Sequence, residues 1–201
     1  MDAAELGALV VMGFVSSFTP GPNNALATAI GANQGLRPAW PFVWAVPVGW
    51  CTLFLLSAMG LGALVMAVPV LRWALLVLGV GYMLWLALKL AGSQSLSEGG
   101  SGQAAIGFWQ GVLLQAVNIK AWMIAMSVVA GWVAGQPDVV SRTLLVLGVM
   151  FVMGWTSCLT YAMVGSLLRE WLSVGQRLIW FNRLMALGLV LTALWMLWRE
   201  I

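Results

Sequence analysis

Charged residues are scarce in this chain of 201 residues, and histidine is absent altogether. Charged residues make up 7% of the sequence and hydrophobic residues 62%, whereas about a quarter of the residues in a soluble globular domain are charged. The composition excludes a soluble globular domain and indicates an integral membrane protein. The net charge of +3 is too small and too dispersed to indicate nucleic-acid binding. The sequence therefore predicts the lipid bilayer as its surroundings and no nucleic acid as a partner.

The groups that catalysis or metal binding would need are also lacking. The missing histidine removes the commonest proton relay and metal ligand, and all six acidic residues lie at the termini or between the apolar stretches. Cys51 and Cys158 each lie inside an apolar run, where an isolated thiol is usually a small buried hydrophobe. A membrane enzyme would need a pair of groups for acid and base catalysis. The sequence predicts a protein that is not an enzyme and that uses no cofactor or metal.

Long apolar stretches dominate what is present, and they favour helices over the alternating strands of a transmembrane barrel. A span needs about twenty apolar residues at 1.5 Å rise each, which predicts an all-α polytopic membrane protein with six transmembrane helices. The whole chain, 1–201, is interpreted as a single transmembrane domain. The predicted spans cover residues 6–32, 41–66, 70–91, 106–133, 139–168 and 178–198, and a flexible Gly/Ser-rich linker covers 92–103.

The first span contains a polar interruption, Thr19-Pro20-Gly21-Pro22-Asn23-Asn24. A proline inside a helix removes a hydrogen bond and costs about 3 kcal/mol, so we expect the helix to break at Pro20–Pro22. In hydrocarbon, freed backbone groups are tolerated only inside protein or beside a watery cavity. A second half-helix that begins near Asn23 would direct its free N–H groups at the break, which favours an anion. The alternative is a proline kink that only helps helices to pack.

Lys120 is the one basic residue well inside a predicted span. A lysine near the centre of a membrane helix costs about 2.5 to 3.5 kcal/mol on insertion scales, so something must compensate its charge. Backbone carbonyls freed at the Pro20 break, the side chains of Gln115 and Asn118, water, or a substrate carboxylate could do so. The alternative is that Lys120 extends to an interface.

The linker divides the spans into two triplets, which would insert with opposite orientations as inverted repeats. Residues 13–20 align faintly with residues 111–118, which places the first break opposite Asn118. Three Gly-x-x-x-Gly spacings, at 31–35, 107–111 and 131–135, allow close helix packing and leave a homodimer open.

Basic residues at the span ends indicate which connections are cytoplasmic. One face of the predicted bundle carries five basic residues, Arg37, Lys89, Arg169, Arg177 and Arg183. The other face carries three, Arg72, Arg142 and Arg199, together with both termini. We therefore place both termini outside the cytoplasm.

Several motifs together resemble one family. The first is similar to the first-helix signature of the lysine exporter and homoserine/threonine resistance (LysE/RhtB) family. It comprises Thr19 to Asn24, followed by Gly31, Gly35-Leu36-Arg37 and Gly49. Tyr82-Met83-Leu84, Asn118-Ile119-Lys120 and Tyr161-Ala162 resemble later motifs of the family. The segment from Phe108 to Lys120 looks most like the cysteine and O-acetylserine exporter branch. Ile119 replaces a proline of the family motif, and Gly154 stands where several relatives carry an acidic residue.

The resemblance implies an inner-membrane secondary transporter that exports small neutral amino acids or their derivatives by alternating access. The alternatives are an exporter of homoserine, threonine or basic amino acids and, from another class, a non-transporting scaffold or regulator. The expected substrate-binding residues are Thr19, Pro20, Gly21, Pro22, Asn23, Asn24, Gln115, Asn118 and Lys120. The substrate carboxylate would bind near Asn23 and Lys120, and its ammonium near the carbonyls of residues 17–19 or the amide oxygens.

Overall fold

The computed structural model describes residues 1–93 and 106–198, and this part of the chain contains nine helices and no strand. The prediction of an all-α protein is therefore confirmed. Residues 94–103 of the predicted linker, and Arg199, lie outside the described residues. The helices are α1 (Ala3–Phe18), α2 (Pro22–Gln34), α3 (Leu36–Ala58), α4 (Leu61–Ala67), α5 (Pro69–Ala91), α6 (Phe108–Val117), α7 (Ile119–Trp132), α8 (Val139–Leu172) and α9 (Arg177–Trp198).

Four of these helices, α3, α5, α8 and α9, are individually long and apolar enough to cross a membrane. Two pairs of shorter helices reach the same length only together. The pair α1 and α2 is bent by 55°, and the pair α6 and α7 by 70°. The described residues therefore hold up to six spans if each bent pair counts as one, which agrees with the predicted polytopic architecture.

The first break lies where the sequence predicts it. Helix α1 ends at Phe18, and Pro22 occupies the first turn of α2, where its missing N–H would have no helical partner in any case. Gly21 precedes α2 in an extended conformation, with a φ of −171°. The two prolines thus separate the half-helices, and the second one begins the new helix.

The second break forms without a proline. Asn118 leaves the helical conformation, with φ of −87° and ψ of 99°, and its side-chain oxygen accepts a hydrogen bond from the Lys120 backbone N–H at 3.1 Å. Asparagine is a strong helix N-cap because its side chain pairs an otherwise free backbone donor. Ile119 in place of the family proline therefore still permits a break, since Asn118 starts the new helix at α7.

The second predicted span differs from the structure at both ends. Helix α3 begins at Leu36, five residues earlier than predicted, because Pro38 falls in the first turn, where a missing donor costs little. The helix then stops at Ala58, and Gly60 adopts the left-handed conformation with a φ of 93°. Glycine takes this conformation without a steric penalty, so the predicted span 41–66 is divided between α3 and α4.

The helices pack at several points through glycine. A Cβ atom added to Gly31 would overlap the carbonyl of Ala162, and one added to Gly165 would overlap the carbonyl of Thr28. The backbones of α2 and α8 are therefore in direct contact. A Cβ atom on Gly111 would come within 2.6 Å of the Ala45 side chain on α3. Gly31 and Gly111 thus serve packing within the chain.

The pairing of helices is similar in the two halves of the chain. The first bent pair packs on α8 of the second half, and the second bent pair packs on α3 of the first. The helices α5 and α9 pack on each other, as do α3 and α8. If the first bent pair is matched with the second, α3 with α8 and α5 with α9, each of these pairings in one half has a counterpart in the other. This symmetry supports the predicted internal repeat.

Candidate functional site

The two helix breaks meet at one cavity. Its polar wall comes from the end of α1, the start of α2 and the region around the Asn118 break, and its other wall from α3, α7 and α8. The cavity has about 660 Å³ of empty space, including its open mouth. Eight of the nine expected site residues line it: Thr19, Gly21, Pro22, Asn23, Asn24, Gln115, Asn118 and Lys120. Pro20 lines a neighbouring apolar cavity between α2, α8 and α9 instead.

The carbonyl groups at the end of α1 are held by side chains. The Asn24 amide donates to the carbonyls of Ser17 (2.9 Å) and Thr19 (3.0 Å). The Ser157 hydroxyl also donates to Ser17, at 2.8 Å, and the Tyr161 hydroxyl donates to Phe18, at 3.0 Å. A backbone carbonyl has two lone pairs, so the Ser17 carbonyl has no acceptor capacity left. Of the carbonyls of residues 17–19 that are expected to bind a substrate ammonium, the Ser17 carbonyl is thus already used within the protein.

Asn23 and Gln115 join the two breaks directly. The Gln115 amide donates to Asn23 Oδ1 at 2.9 Å, and the Asn23 amide donates to Gln115 Oε1 at 3.3 Å. Gln115 is 1% exposed, and a buried amide needs such partners because an unpaired polar group is costly in a low-dielectric interior. Each amide oxygen retains one lone pair that can accept a further hydrogen bond.

Among the described residues that line the cavity, Lys120 is the only one with a charged side chain. Its ammonium lies near the first break, since a Cβ atom built on Gly21 would be 3.7 Å from Lys120 Nζ. Within the described residues, no hydrogen bond or ion pair of this ammonium is found, and the side chain also borders a cavity between α7 and α9. Helices α2 and α7 both begin at this cavity, and the N-terminus of a helix favours a negatively charged group. The arrangement therefore suits an anionic group.

Several lining residues are not among the site residues that the sequence predicts. Ser157, Pro47, Trp50, Met150 and Gly154 come from α3 and α8, far from either broken motif along the chain. A serine or a glycine inside a long apolar helix is common, because small residues allow membrane helices to approach closely. Only the intramembrane position of Ser157 could have marked it, as polar residues there are costly.

One end of the molecule is held by an ionic cluster. Arg142, near the start of α8, donates to both carboxylate oxygens of Glu5 at 3.2 and 3.3 Å and to Asp138 at 2.8 Å. The hydrogen bond from Arg142 holds the pKa of the Asp138 carboxyl below its usual value. The Trp132 indole also donates to the Glu5 carbonyl, at 3.0 Å. The cluster thus fastens the start of α1 to the connection between α7 and α8.

The other end is held by neutral groups. Asn33 on α2 and Asn182 on α9 exchange hydrogen bonds of 2.7 and 2.9 Å. The Ser93 hydroxyl donates to Asn33 at 3.1 Å, and Asn182 donates to the Ser93 carbonyl at 3.1 Å. Asn182 is fully buried. This amide cluster lies near the C-terminal end of α8, because the adjacent Ala32 packs with Leu172.

Comparison with known proteins identifies the family. The sequence model described as LysE type translocator matches residues 14–199. The chain is 29% identical over 174 residues to proteins named cysteine/O-acetylserine efflux protein, from Escherichia coli strain K12 and Shigella sonnei strain Ss046. The match covers 85% of this chain and 87% of each relative. No solved structure matches the chain.

The family match covers the greater part of the chain and confirms the resemblance carried by its first-helix motif. With its apolar spans, the chain is a multi-pass membrane protein and an exporter of the amino-acid type, not an enzyme. It belongs to the family of LysE type translocators.

Proposed function

We propose that this protein is an inner-membrane secondary transporter that exports small neutral amino acids or their derivatives, with cysteine and O-acetylserine as the best candidates. The observation that carries the proposal is the cavity at which both helix breaks meet, with Lys120 as the charged residue among its lining side chains. Two relatives that are named for cysteine and O-acetylserine efflux support the choice of substrate.

The substrate carboxylate binds between the N-terminus of α2 and the Lys120 ammonium. Discontinuous helices in transporters direct their positive N-terminal ends at anionic substrate groups, and α2 and α7 both start at this cavity. Lys120 adds a full charge beside Gly21. A charge-assisted hydrogen bond contributes about 1.5 to 3 kcal/mol, so the lysine supplies a substantial part of the carboxylate affinity.

The substrate ammonium binds to neutral oxygen atoms. The Ser17 carbonyl is occupied by Asn24 and Ser157, whereas Asn23 Oδ1 and Gln115 Oε1 each keep a free lone pair that can accept from the ammonium. These two oxygens lie on the amide pair that joins the breaks. A zwitterion bound in this way contacts both halves of the chain at once.

Alternating access moves the two broken helices relative to α3 and α8. The ionic cluster around Arg142 closes one end of the pathway, and the amide cluster around Asn182 closes the other. Each cluster ties elements from both halves of the chain, so each must open for the site to reach that side. Each of the two access states has one cluster open, with its hydrogen bonds broken, and the other cluster closed.

The proposal is tested in vesicles that contain the purified protein and are loaded with labelled cysteine or O-acetylserine. We expect efflux well above that of protein-free vesicles, and collapsing the proton gradient and the membrane potential separately identifies the driving force. Efflux at the rate of protein-free vesicles for every amino acid tried would instead favour the scaffold or regulator alternative.

A further inference from the structure

The cavity has two walls of different chemistry. The polar wall described above comes from both breaks and holds Lys120. A second, apolar part of the lining, here called the apolar wall, includes Val46, Pro47 and Trp50 of α3, Ile124 of α7, and Met150 and Gly154 of α8. None of these six residues has a side chain that can ionise. If the polar wall holds the carboxylate and the ammonium, as the proposed function requires, the apolar wall faces the side chain of the substrate.

An apolar wall selects uncharged side chains. A charge placed against these residues would lose its water without gaining a partner, which is strongly unfavourable. The described residues that line the two cavities beside Lys120 include further uncharged ones, namely Gly21 and Thr19 at the first break, Asn118 between α6 and α7, and Trp195 and Met196 of α9. The nearest phenol, that of Tyr161, donates to Phe18 and lines the neighbouring cavity.

Gly154 is the point at which this wall has spare room. A Cβ atom built on Gly154 would meet only Pro47 within 4 Å, at 3.6 and 3.9 Å, which are ordinary contact distances. A methyl group therefore fits without displacing the protein, and it occupies space at the cavity wall. This contrasts with Gly31 and Gly165, where a Cβ atom would overlap a carbonyl group of the facing helix.

We propose that Gly154, opposite Pro47, determines the length of the uncharged substrate side chain that the transporter accepts. The inference rests on the proposed function and adds the side-chain class of the substrate and the residue that limits it. A side chain of several heavy atoms, such as that of O-acetylserine, uses the space that the missing Cβ atom of Gly154 leaves open. A short one, such as that of alanine or cysteine, does not need it.

The test compares Gly154→Ala with the unchanged protein in vesicles loaded with labelled alanine, cysteine, O-acetylserine or lysine. One methylene in an apolar pocket changes selectivity by roughly ten-fold or more. We therefore expect Gly154→Ala to lower O-acetylserine efflux about ten-fold relative to cysteine, with alanine efflux unchanged. Gly154→Val should lower it further. Lysine should not be exported by either form.

Gly148→Ala is the matched control. Gly148 lies in the same helix, and a Cβ atom there would meet nothing within 4 Å. Both substitutions replace glycine by alanine within a helix, so they share the gain in helix propensity, and thermal unfolding in detergent checks that both variants fold. Gly148→Ala should leave the ratio of O-acetylserine to cysteine efflux unchanged.

The outcomes separate the two proposals. If the unchanged protein exports cysteine and O-acetylserine but Gly154→Ala and Gly154→Val leave their ratio unaltered, the role of Gly154 is wrong and the proposed function stands. Export of lysine at the rate of O-acetylserine would overturn the requirement for an uncharged side chain. If the unchanged protein exports none of the four probes, the proposed function fails and the inference fails with it.

Discussion

Lys120 lowers the stability of the protein in the membrane but supplies charge to the proposed substrate site. Its ammonium lies beside Gly21 in a cavity whose other lining side chains, among the residues that the structure describes, are uncharged. Insertion of a lysine near the centre of a membrane helix costs about 2.5 to 3.5 kcal/mol, so the residue is expensive to retain. We infer that binding of an anionic substrate group compensates this cost.

The first prediction concerns this charge. Lys120→Met retains the length and the apolar packing of the side chain while it removes the ammonium, so thermal stability in detergent should be unchanged or higher. Loss of a charge-assisted hydrogen bond of about 1.5 to 3 kcal/mol should weaken the apparent substrate affinity about ten-fold to a hundred-fold. The measurement is the concentration dependence of efflux from loaded vesicles.

Lys120→Arg provides the second variant for this prediction. It restores the charge, but the wider guanidinium group must fit a space shaped for a point charge, so recovery should be partial. Export by Lys120→Met with unchanged affinity and rate would show that the lysine is structural. The carboxylate site would then depend on the helix N-termini alone.

At the scale of single residues, the sequence predicted the polar wall of the cavity but not how it is organised. Pro20, Pro22 and Lys120 were detectable because each is energetically costly at membrane depth. The contacts of Ser157 and Tyr161 with the end of α1 join positions 140 and 143 residues apart in the chain. Neither the spacing nor the composition of a local stretch contains such pairings, so they required the three-dimensional structure.

At the scale of helices, the break between α6 and α7 depends on one side chain. Asn118 is 5% exposed, and its oxygen pairs the backbone N–H of Lys120. A proline would enforce a break by removing a hydrogen bond, whereas Asn118 acts by offering a substitute partner. The sequence does not enforce this break, because Ile119 stands where the family motif has a proline and keeps the backbone N–H that a proline lacks.

The second prediction tests Asn118 as the cap of α7. Asn118→Ala removes the side-chain acceptor, and loss of an N-cap of this type costs about 0.5 to 2 kcal/mol. We expect a lower unfolding temperature in detergent and slower efflux, because the start of α7 and the position of Lys120 both depend on the cap. Asn118→Asp supplies an acceptor at the same place and should retain more of the stability than Asn118→Ala. Equal stability of the two variants would contradict the capping role.

At the scale of the whole molecule, the two ends are closed by different chemistry. The end that includes the N-terminus holds Arg142, Glu5 and Asp138, and the other end holds Asn33, Asn182 and Ser93. Helix α8 spans the distance between them with 34 residues, which is about 50 Å at helical rise. Acid and salt therefore act on the ionic cluster, whereas the buried amide cluster contains no titratable side chain.

The third prediction uses the titration of Asp138. Its pKa is lowered in the folded protein by Arg142, so its stabilising contribution is complete above the unfolded pKa of about 4 and is lost as the pH falls through the lower folded value. The unfolding temperature of the unchanged protein should therefore fall more steeply below pH 4 than that of Asp138→Asn. Parallel curves for the two proteins would show that this ion pair does not contribute.

The fourth prediction concerns orientation in the membrane. If the face that carries Arg37, Lys89 and Arg169 is cytoplasmic, the predicted linker 92–103 lies on the same side. A cysteine at Ser101, on a background that lacks Cys51 and Cys158, should then resist an impermeant thiol reagent in intact cells. A cysteine at Pro137, which is exposed in the connection between α7 and α8, should react under the same conditions. The reverse pattern would place both termini in the cytoplasm.

The close packing of α2 on α8 has a consequence for synthesis of the chain. Asn24 and its partner Ser157 are separated by 133 residues, which a ribosome takes roughly 7 to 27 s to translate at about 5 to 20 residues per second. During that interval the polar break of the first span is inserted without the serine that completes its hydrogen bonds. The carbonyls of α1 must meanwhile be satisfied by Asn24 alone, by water or by the insertion machinery, so synthesis of α8 is the step that seals the site.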